Sequence, residues 1–238
     1  NLYLSFTEPW VFDYPVSFGF DAFRTEHKRE TDVGYGYDQK NTGGDLRLGK
    51  EFSDYLRGNM IYSLEDITIG NVDDTASNEL KKEIGTNTVS KLGAGLTYDT
   101  RDNINDPTRG YMLNGFVEGA GGFFGGDKDF SRFTTKGSYD IPLLFNSVLE
   151  FRAQAGWVDA FGDSTEVPIY ERFFAGGAYT IRGYNERKVG PVDPAEDDDD
   201  VRHRADLGEQ GQLVPPLLLV GSEVSVVQIG GALPTRLG

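Results

Sequence analysis

The sequence predicts an all-β chain whose strands form an antiparallel transmembrane β-barrel, and three observations lead to this fold class. Apolar and polar residues alternate with a period of two along most of positions 1–159. Compact and longer polar links alternate between these segments, as they do in outer-membrane barrels. No segment approaches the roughly 18 consecutive apolar residues of a membrane-spanning helix. About eight strands are expected, in meander order.

The clearest predicted strand covers positions 147–158. One face is apolar, with Leu149, Phe151, Ala153, Ala155 and Trp157, and the other carries Glu150, Arg152 and Gln154. A strand sorts side chains in this way because successive residues point in opposite directions. Further strands are predicted around Leu4, Phe18, Leu46 and Met60 and over positions 90–99, 111–121 and 130–141. Positions 111–121 fit less well, since Met112 and Phe116 fall on the polar side.

The links between the predicted strands divide into two groups. Compact links lie at 8–14, 52–54, 100–110 and 142–146, and longer polar links lie at 26–42, 70–89, 122–129 and after position 159. A soluble β-sandwich also alternates apolar and polar residues, so periodicity alone leaves that fold open. The mean hydropathy of −0.43 excludes neither fold, because a barrel turns only every second side chain towards lipid.

The composition excludes several functions. The formal net charge is −15, which argues against a nucleic-acid partner because phosphates would be repelled. The sequence has no cysteine, so it has no disulfide, thiol nucleophile or thiolate metal site. His27 and His203 lie far apart in the sequence, and the acidic run 196–200 lacks calcium-loop spacing. No metal and no cofactor is therefore expected.

Two sets of motifs resemble the BamA/TamA family of outer-membrane proteins. Positions 170–177 read YERFFAGG and precede TIRGY at 180–184, a string similar to the family's sixth extracellular loop. Positions 95–102 (GLTYDTRD) and 107–111 (PTRGY) resemble a periplasmic turn of the family, and SFTEPW at 5–10 resembles another. On this alignment the predicted strands are the family's fourth to eleventh, within a larger barrel.

The resemblance implies a non-enzymatic protein of the bacterial outer membrane that assembles or inserts client β-barrel proteins. Its implied partners are outer-membrane lipids and lipopolysaccharide, client barrels, periplasmic POTRA repeats outside this sequence, and accessory lipoproteins. We expect barrel strands over 1–158, a long lumen-inserted loop over 159–200, and an atypical tail over 201–238 in which only 223–229 has strand character. The alternatives are a secretion transporter of the same family and a soluble all-β binding module.

Arg182 is the candidate functional residue of this loop. The resemblance implies that it folds into the lumen, where its guanidinium can form bidentate bonds with inward-facing carboxylates. Gly183 would allow a tight backbone turn and Tyr184 would pack against the wall. The flanking motif residues are Gly176, Gly177 and Ile181. The alternative is a surface arginine in an exposed loop.

A second candidate cluster lies in the link 100–110 and contains Asp99, Arg101, Asp102 and Arg109. Neighbouring arginines lower the pKa of a carboxyl group, which is the wrong direction for a general acid. We therefore interpret these residues as an ionic cluster that stabilises a turn, and we expect no catalytic residue.

Overall fold

The computed structural model describes residues 1–28, 37–72, 78–144, 147–173 and 221–228, and for 221–228 it describes the backbone alone. Nine strands within these ranges form one antiparallel sheet in chain order. They are β1 (Leu2–Glu8), β2 (Val16–His27), β3 (Asp38–Glu51), β4 (Leu56–Gly70), β5 (Gly85–Asp99), β6 (Gly110–Ala120), β7 (Phe130–Pro142), β8 (Ser147–Ala160) and β9 (Gly221–Gln228). The predicted all-β meander is confirmed.

One face of the sheet, here called the apolar face, carries the apolar residues of the period-two pattern. Strand register aligns these residues into rows across the sheet. One row joins β1 to β5 through Phe6, Phe20, Leu46, Tyr62 and Leu92. Large apolar side chains of this face are exposed, including Leu4, Leu64, Leu96 and Val117 at 48–61%. No second sheet covers them within the described residues, so the apolar face is not the dry interior of a sandwich.

The opposite face, here called the polar face, carries ionised side chains from every strand between β2 and β8. These are Asp21, Arg47, Glu65, Lys91, Glu118, Arg132 and Glu150. Most of the carboxylates among them are buried. Asp21 and Arg47 show how neighbouring strands neutralise one another, since their Oδ2 and Nε atoms lie 2.7 Å apart.

The link lengths follow the prediction with two differences. Strands β3 and β5 begin at Asp38 and Gly85, so the links before them are shorter than expected. Their added residues are mostly polar, and backbone pairing continues there because it does not require an apolar side chain. The link after β5, predicted as compact, spans 100–109, and the link after β6, predicted as longer, spans 121–129. The two links therefore have nearly the same length and differ mainly in how they fold.

The polar face ends in a small apolar cluster at the side of the longer links. Its members are Tyr37, Ile67, Ile69, Leu80, Val89, Ala120, Phe130 and Ile169. Leu80 lies in a short helix, α1 (Asn78–Lys82), and Ile169 begins a 3-10 turn, Ile169–Glu171. These two segments cover the ends of β4 to β7. Within the described ranges, no helix has the length and apolar content needed to cross a membrane.

Phe116 has a structural reason for being on the polar face. A Cβ at Gly93 would overlap its ring, and one at Gly95 would lie 2.9 Å from its Cδ2 atom. The two glycines of β5 therefore leave the space that the ring of β6 fills. The poor pattern over 111–121 is a local packing solution and does not break the strand.

Leu64 tests whether the apolar face lies in hydrocarbon, as the sequence predicts. Leu64→Arg should lower the unfolding free energy by about 2–4 kcal/mol in a bilayer, because a cation near the midplane is poorly solvated. Leu64→Met should change it by less than about 1.5 kcal/mol. Urea unfolding of the barrel reconstituted in lipid vesicles measures both values. An unchanged stability for Leu64→Arg would place this face in water.

Candidate functional site

Glu171 is the centre of an ionic network on the polar face. Its Oε1 lies 2.9 Å from Lys91 Nζ of β5, and its Oε2 lies 2.7 Å from Arg132 Nη1 of β7. The Glu171 side chain is only 6% exposed. A carboxylate from the segment after β8 therefore binds cations on two non-adjacent strands.

Two further carboxylates complete this network, here called the Glu171 network. Lys91 Nζ lies 2.8 Å from Glu65 Oε1 of β4, and Arg132 Nη2 lies 2.6 Å from Glu118 Oε1 of β6. The network thus ties four consecutive strands to the segment that follows β8. Charge-assisted bonds of this kind are strong where the groups are withdrawn from water.

Strand register explains why these side chains meet. Glu118 and Arg132 are directly opposite each other on β6 and β7. Lys91 lies opposite Ser63, so Glu65 is its diagonal neighbour two positions along β4. Register alone gives each cation one carboxylate partner, Glu65 for Lys91 and Glu118 for Arg132. Glu171 supplies a further carboxylate that both cations share.

The segment around Glu171 is held against the polar face at several points. Ile169 packs in the apolar cluster, and Arg172 Nε donates a hydrogen bond of 2.7 Å to the Val167 carbonyl. Burial raises the pKa of the Tyr170 hydroxyl, and nearby carboxylates act in the same direction. The Phe173 ring covers Gly156 of β8, where an added Cβ would lie 2.6 Å from Phe173 Cζ. The described start of the loop therefore turns onto the polar face.

The predicted cluster in the link 100–109 divides into two parts. Arg101 binds Asp99, with Nε and Nη2 donating to the two carboxylate oxygens at 2.9 and 2.8 Å. Arg57 approaches the same carboxylate at 3.9 Å. These contacts tie the first residues of the link to the ends of β4 and β5.

Asp102 forms the second part of this cluster through the backbone. Its carboxylate accepts hydrogen bonds from Thr108 N at 2.9 Å, from Thr108 Oγ1 and from Arg109 N at 3.3 Å. The Thr108 bonds hold the pKa of Asp102 at about 2. Asp102 and Arg109 therefore meet through the main chain, and the link closes as a hydrogen-bonded turn.

The loop motif lies outside the described residues, namely Gly176, Gly177, Ile181, Arg182, Gly183 and Tyr184. Its proposed role stays a prediction, as does the boundary of the loop at position 200. His203 and the acidic run 196–200 also lie outside. In the described ranges no three histidine, aspartate or glutamate side chains are placed to share a metal ion.

Sequence reasoning did not single out Glu171, although it lies within the YERFFAGG string. A signal was present: an acidic residue stands among aromatic residues soon after the most regular strand. Lys91 and Arg132 also fall on the polar side of the alternating pattern over 90–99 and 130–141, where a buried cation needs a counter-charge. The pairing itself required coordinates.

Glu171→Gln should destabilise the barrel by roughly 1.5–3 kcal/mol, because Lys91 and Arg132 each lose a charge-assisted hydrogen bond but keep their partners Glu65 and Glu118. Glu166→Gln is the matched control in the same segment. The Glu166 side chain is 40% exposed and lies 3.6 Å from each of two cations, so its loss should cost about 1 kcal/mol or less. Urea unfolding in vesicles compares the two, and equal effects would contradict a central role for Glu171.

The lowered pKa of Asp102 predicts that the stability of the protein depends on pH, and it fixes the direction of that dependence. A carboxyl group whose pKa is lowered on folding adds stability that is complete above about pH 4 and is lost as pH falls through about 2. The stability deficit of Asp102→Asn should therefore be largest above pH 4 and shrink towards pH 2. Asp106→Asn is the control, because Asp106 lies in the same turn and its substitution should remove no side-chain hydrogen bond. A pH-independent deficit for Asp102→Asn would contradict the assignment.

Comparison with known proteins identifies relatives of this chain. It is 36% identical over 196 residues to the outer membrane protein assembly factor BamA of Nitratidesulfovibrio vulgaris, covering 82% of this chain and 24% of that protein. It is 32% identical over 123 residues to the sorting and assembly machinery component 50 homolog of Homo sapiens, covering 52% and 26%. The chain thus spans about a quarter of these relatives' length.

The fold matches that of a solved structure, BamA from Haemophilus ducreyi lacking POTRA domains 1–3. The TM-score is 0.70 at 22% identity, covering 80% of this chain and 38% of that one. This confirms the predicted barrel architecture, in which the polar face is the lumenal face. The model of the Omp85 superfamily domain matches residues 1–226. The chain therefore belongs to the Omp85 superfamily.

Proposed function

We propose that this chain is part of the barrel of an outer-membrane protein assembly factor, which inserts client β-barrel proteins into the bacterial outer membrane without enzymatic chemistry. The observation that carries the proposal is the segment after β8, which is fixed on the lumenal face by the Glu171 network. Family membership and the name of the bacterial relative support the same function. No described side-chain cluster offers an acid, base or nucleophile arrangement that would suggest catalysis instead.

The physical task explains why a barrel suits this function. A client strand cannot enter hydrocarbon with unpaired N–H and C=O groups, since each costs several kcal/mol. A protein that already spans the bilayer can offer backbone partners and disturb the nearby lipid. To do so it needs a wall that stays closed elsewhere, and β2 to β7 form such a wall because each is paired on both sides.

The Glu171 network would serve this function by bracing the wall from inside. It joins β4, β5, β6 and β7 to the loop, so these strands move as one unit with it. Arg182, with Gly183 and Tyr184, would extend the same attachment deeper along the loop. The bonds of Asp99, Arg101, Asp102 and Arg109 would hold the turn after β5 in shape at the periplasmic rim.

The proposed partners follow from this role. They are lipids and lipopolysaccharide of the outer membrane, client barrel proteins, periplasmic POTRA repeats and accessory lipoproteins, with no nucleic acid. A secretion transporter of the same superfamily would use a similar wall, but the named relatives are assembly factors. A soluble binding module is not favoured, because the apolar face is exposed.

A chimera tests the proposed function. This chain would replace the matching 196-residue segment of the Nitratidesulfovibrio vulgaris protein, in cells depleted of their own assembly factor. We expect the chimera to restore folded client barrels in the outer membrane. Glu171→Gln in the chimera should reduce this amount, because the loop loses its attachment, and Glu166→Gln should not.

Heat-dependent migration of the chimera in gels reports whether its own barrel has folded. A folded, membrane-inserted chimera that restores no client barrels would refute the proposal. A chimera that restores secretion of a soluble polypeptide but no client barrels would favour the transporter.

A further inference from the structure

The apolar face contains a hollow of about 580 Å³ that the wall itself does not fill. It extends from Val16 of β2 to Phe133 of β7, and its other large apolar side chains are Leu48, Phe52, Met60, Leu96 and Val117. Leu48, Phe52, Met60, Leu96, Val117 and Phe133 are all 45–57% exposed. The hollow is therefore an open site on the lipid-facing surface.

Small residues in register create the hollow. Gly58 of β4 and Gly115 of β6 both lie opposite Leu96 of β5, and Ala94 lies between Met60 and Val117. An added Cβ at Gly115 would meet no atom within 4 Å, whereas one at Gly58 would lie 2.7 Å from Cε2 of the Phe52 ring, which covers that glycine. The floor is thus backbone and the walls are longer side chains, which leaves room for a ligand of hydrocarbon character.

The edge of the hollow nearest the compact links carries a cation. Lys50 lies in the same register row as Gly58, at the end of β3 where the compact link 52–55 begins. Its Nζ lies 5.7 Å from the centroid of the Phe52 ring. Among the described residues no carboxylate lies within ion-pair distance of Lys50. A hydrocarbon site with a cation at one edge is complementary to an anionic amphiphile.

The dimensions agree with this ligand. Six strands spaced about 4.8 Å apart give the hollow a length of roughly 24 Å across the strands, and because barrel strands tilt by about 40° this direction covers roughly 15 Å of bilayer depth. One leaflet of the hydrocarbon core is roughly 15 Å thick, so an acyl chain can lie along the hollow with its headgroup at the rim. A peptide is disfavoured, because β4 to β6 are paired on both sides and the lining offers no free backbone group for strand addition.

We propose that this hollow binds an acyl chain of an anionic phospholipid whose phosphate contacts Lys50. The proposal rests on the proposed outer-membrane location, and it adds a specific lipid site to the wall. Bound there, the lipid would fill the open space above Ala94 and Gly115, beside the Phe52 ring that covers Gly58. It would also order the bilayer beside β3 to β7, on the side of the compact links.

Native mass spectrometry of the folded chimera with added lipid tests the site. Phosphatidylglycerol should bind more tightly than phosphatidylethanolamine of the same acyl chains. Gly115→Leu should weaken both by about fifteenfold, because the leucine takes the space of about two methylenes and each contributes roughly fourfold. Lys50→Gln should retain binding but remove the preference for phosphatidylglycerol.

Gly119→Leu is the matched control, since Gly119 shares β6 and the apolar face with Gly115, has nothing within 4 Å of an added Cβ, and does not line the hollow. It should bind lipid like the parent. Equal binding by the two leucine variants would overturn the site, and an unchanged preference in Lys50→Gln would overturn its anionic headgroup. Gel migration confirms folding of each variant, and lipid binding is read independently of client assembly, so the two proposals can fail separately.

Discussion

A strand that crosses hydrocarbon must pair every backbone N–H and C=O group with a neighbouring strand, and the rest of this structure depends on that constraint. The eight ladders between β1 and β9 run in continuous register, with each strand from β2 to β8 paired on both sides. Once pairing is complete, side chains can only alternate between two surroundings. The apolar face and the lumenal face are therefore two results of one backbone requirement.

The lumenal face then has its own electrostatic problem. Strand alternation brings cations and carboxylates from neighbouring strands together. The carboxylates on the strands are not the only partners of these cations. Glu171 is supplied from outside the sheet and contacts Lys91 and Arg132, which belong to strands separated by β6. A buried ion pair is weak evidence for net stability, and what the contacts of Glu171 establish is where the segment directly after β8 lies.

Glycines make room for aromatic rings on both faces. On the lumenal face, Gly93 and Gly95 accommodate the Phe116 ring, and Gly156 accommodates Phe173. On the apolar face the Phe52 ring covers Gly58, while the space above Gly115 stays open. Gly115 is therefore a position on the apolar face where the wall leaves unfilled space.

The sequence by itself determined the strands, their order, the two faces and the turn after β5, because alternation and turn chemistry act over a few residues. It also marked 223–229 as the strand candidate of the tail, close to the observed β9 (Gly221–Gln228). Only the tertiary structure decided that Glu171 contacts Lys91, 80 residues away, and Arg132, 39 residues away. Such contacts depend on the register of four strands and the path of a loop, and neither leaves a local pattern in the sequence.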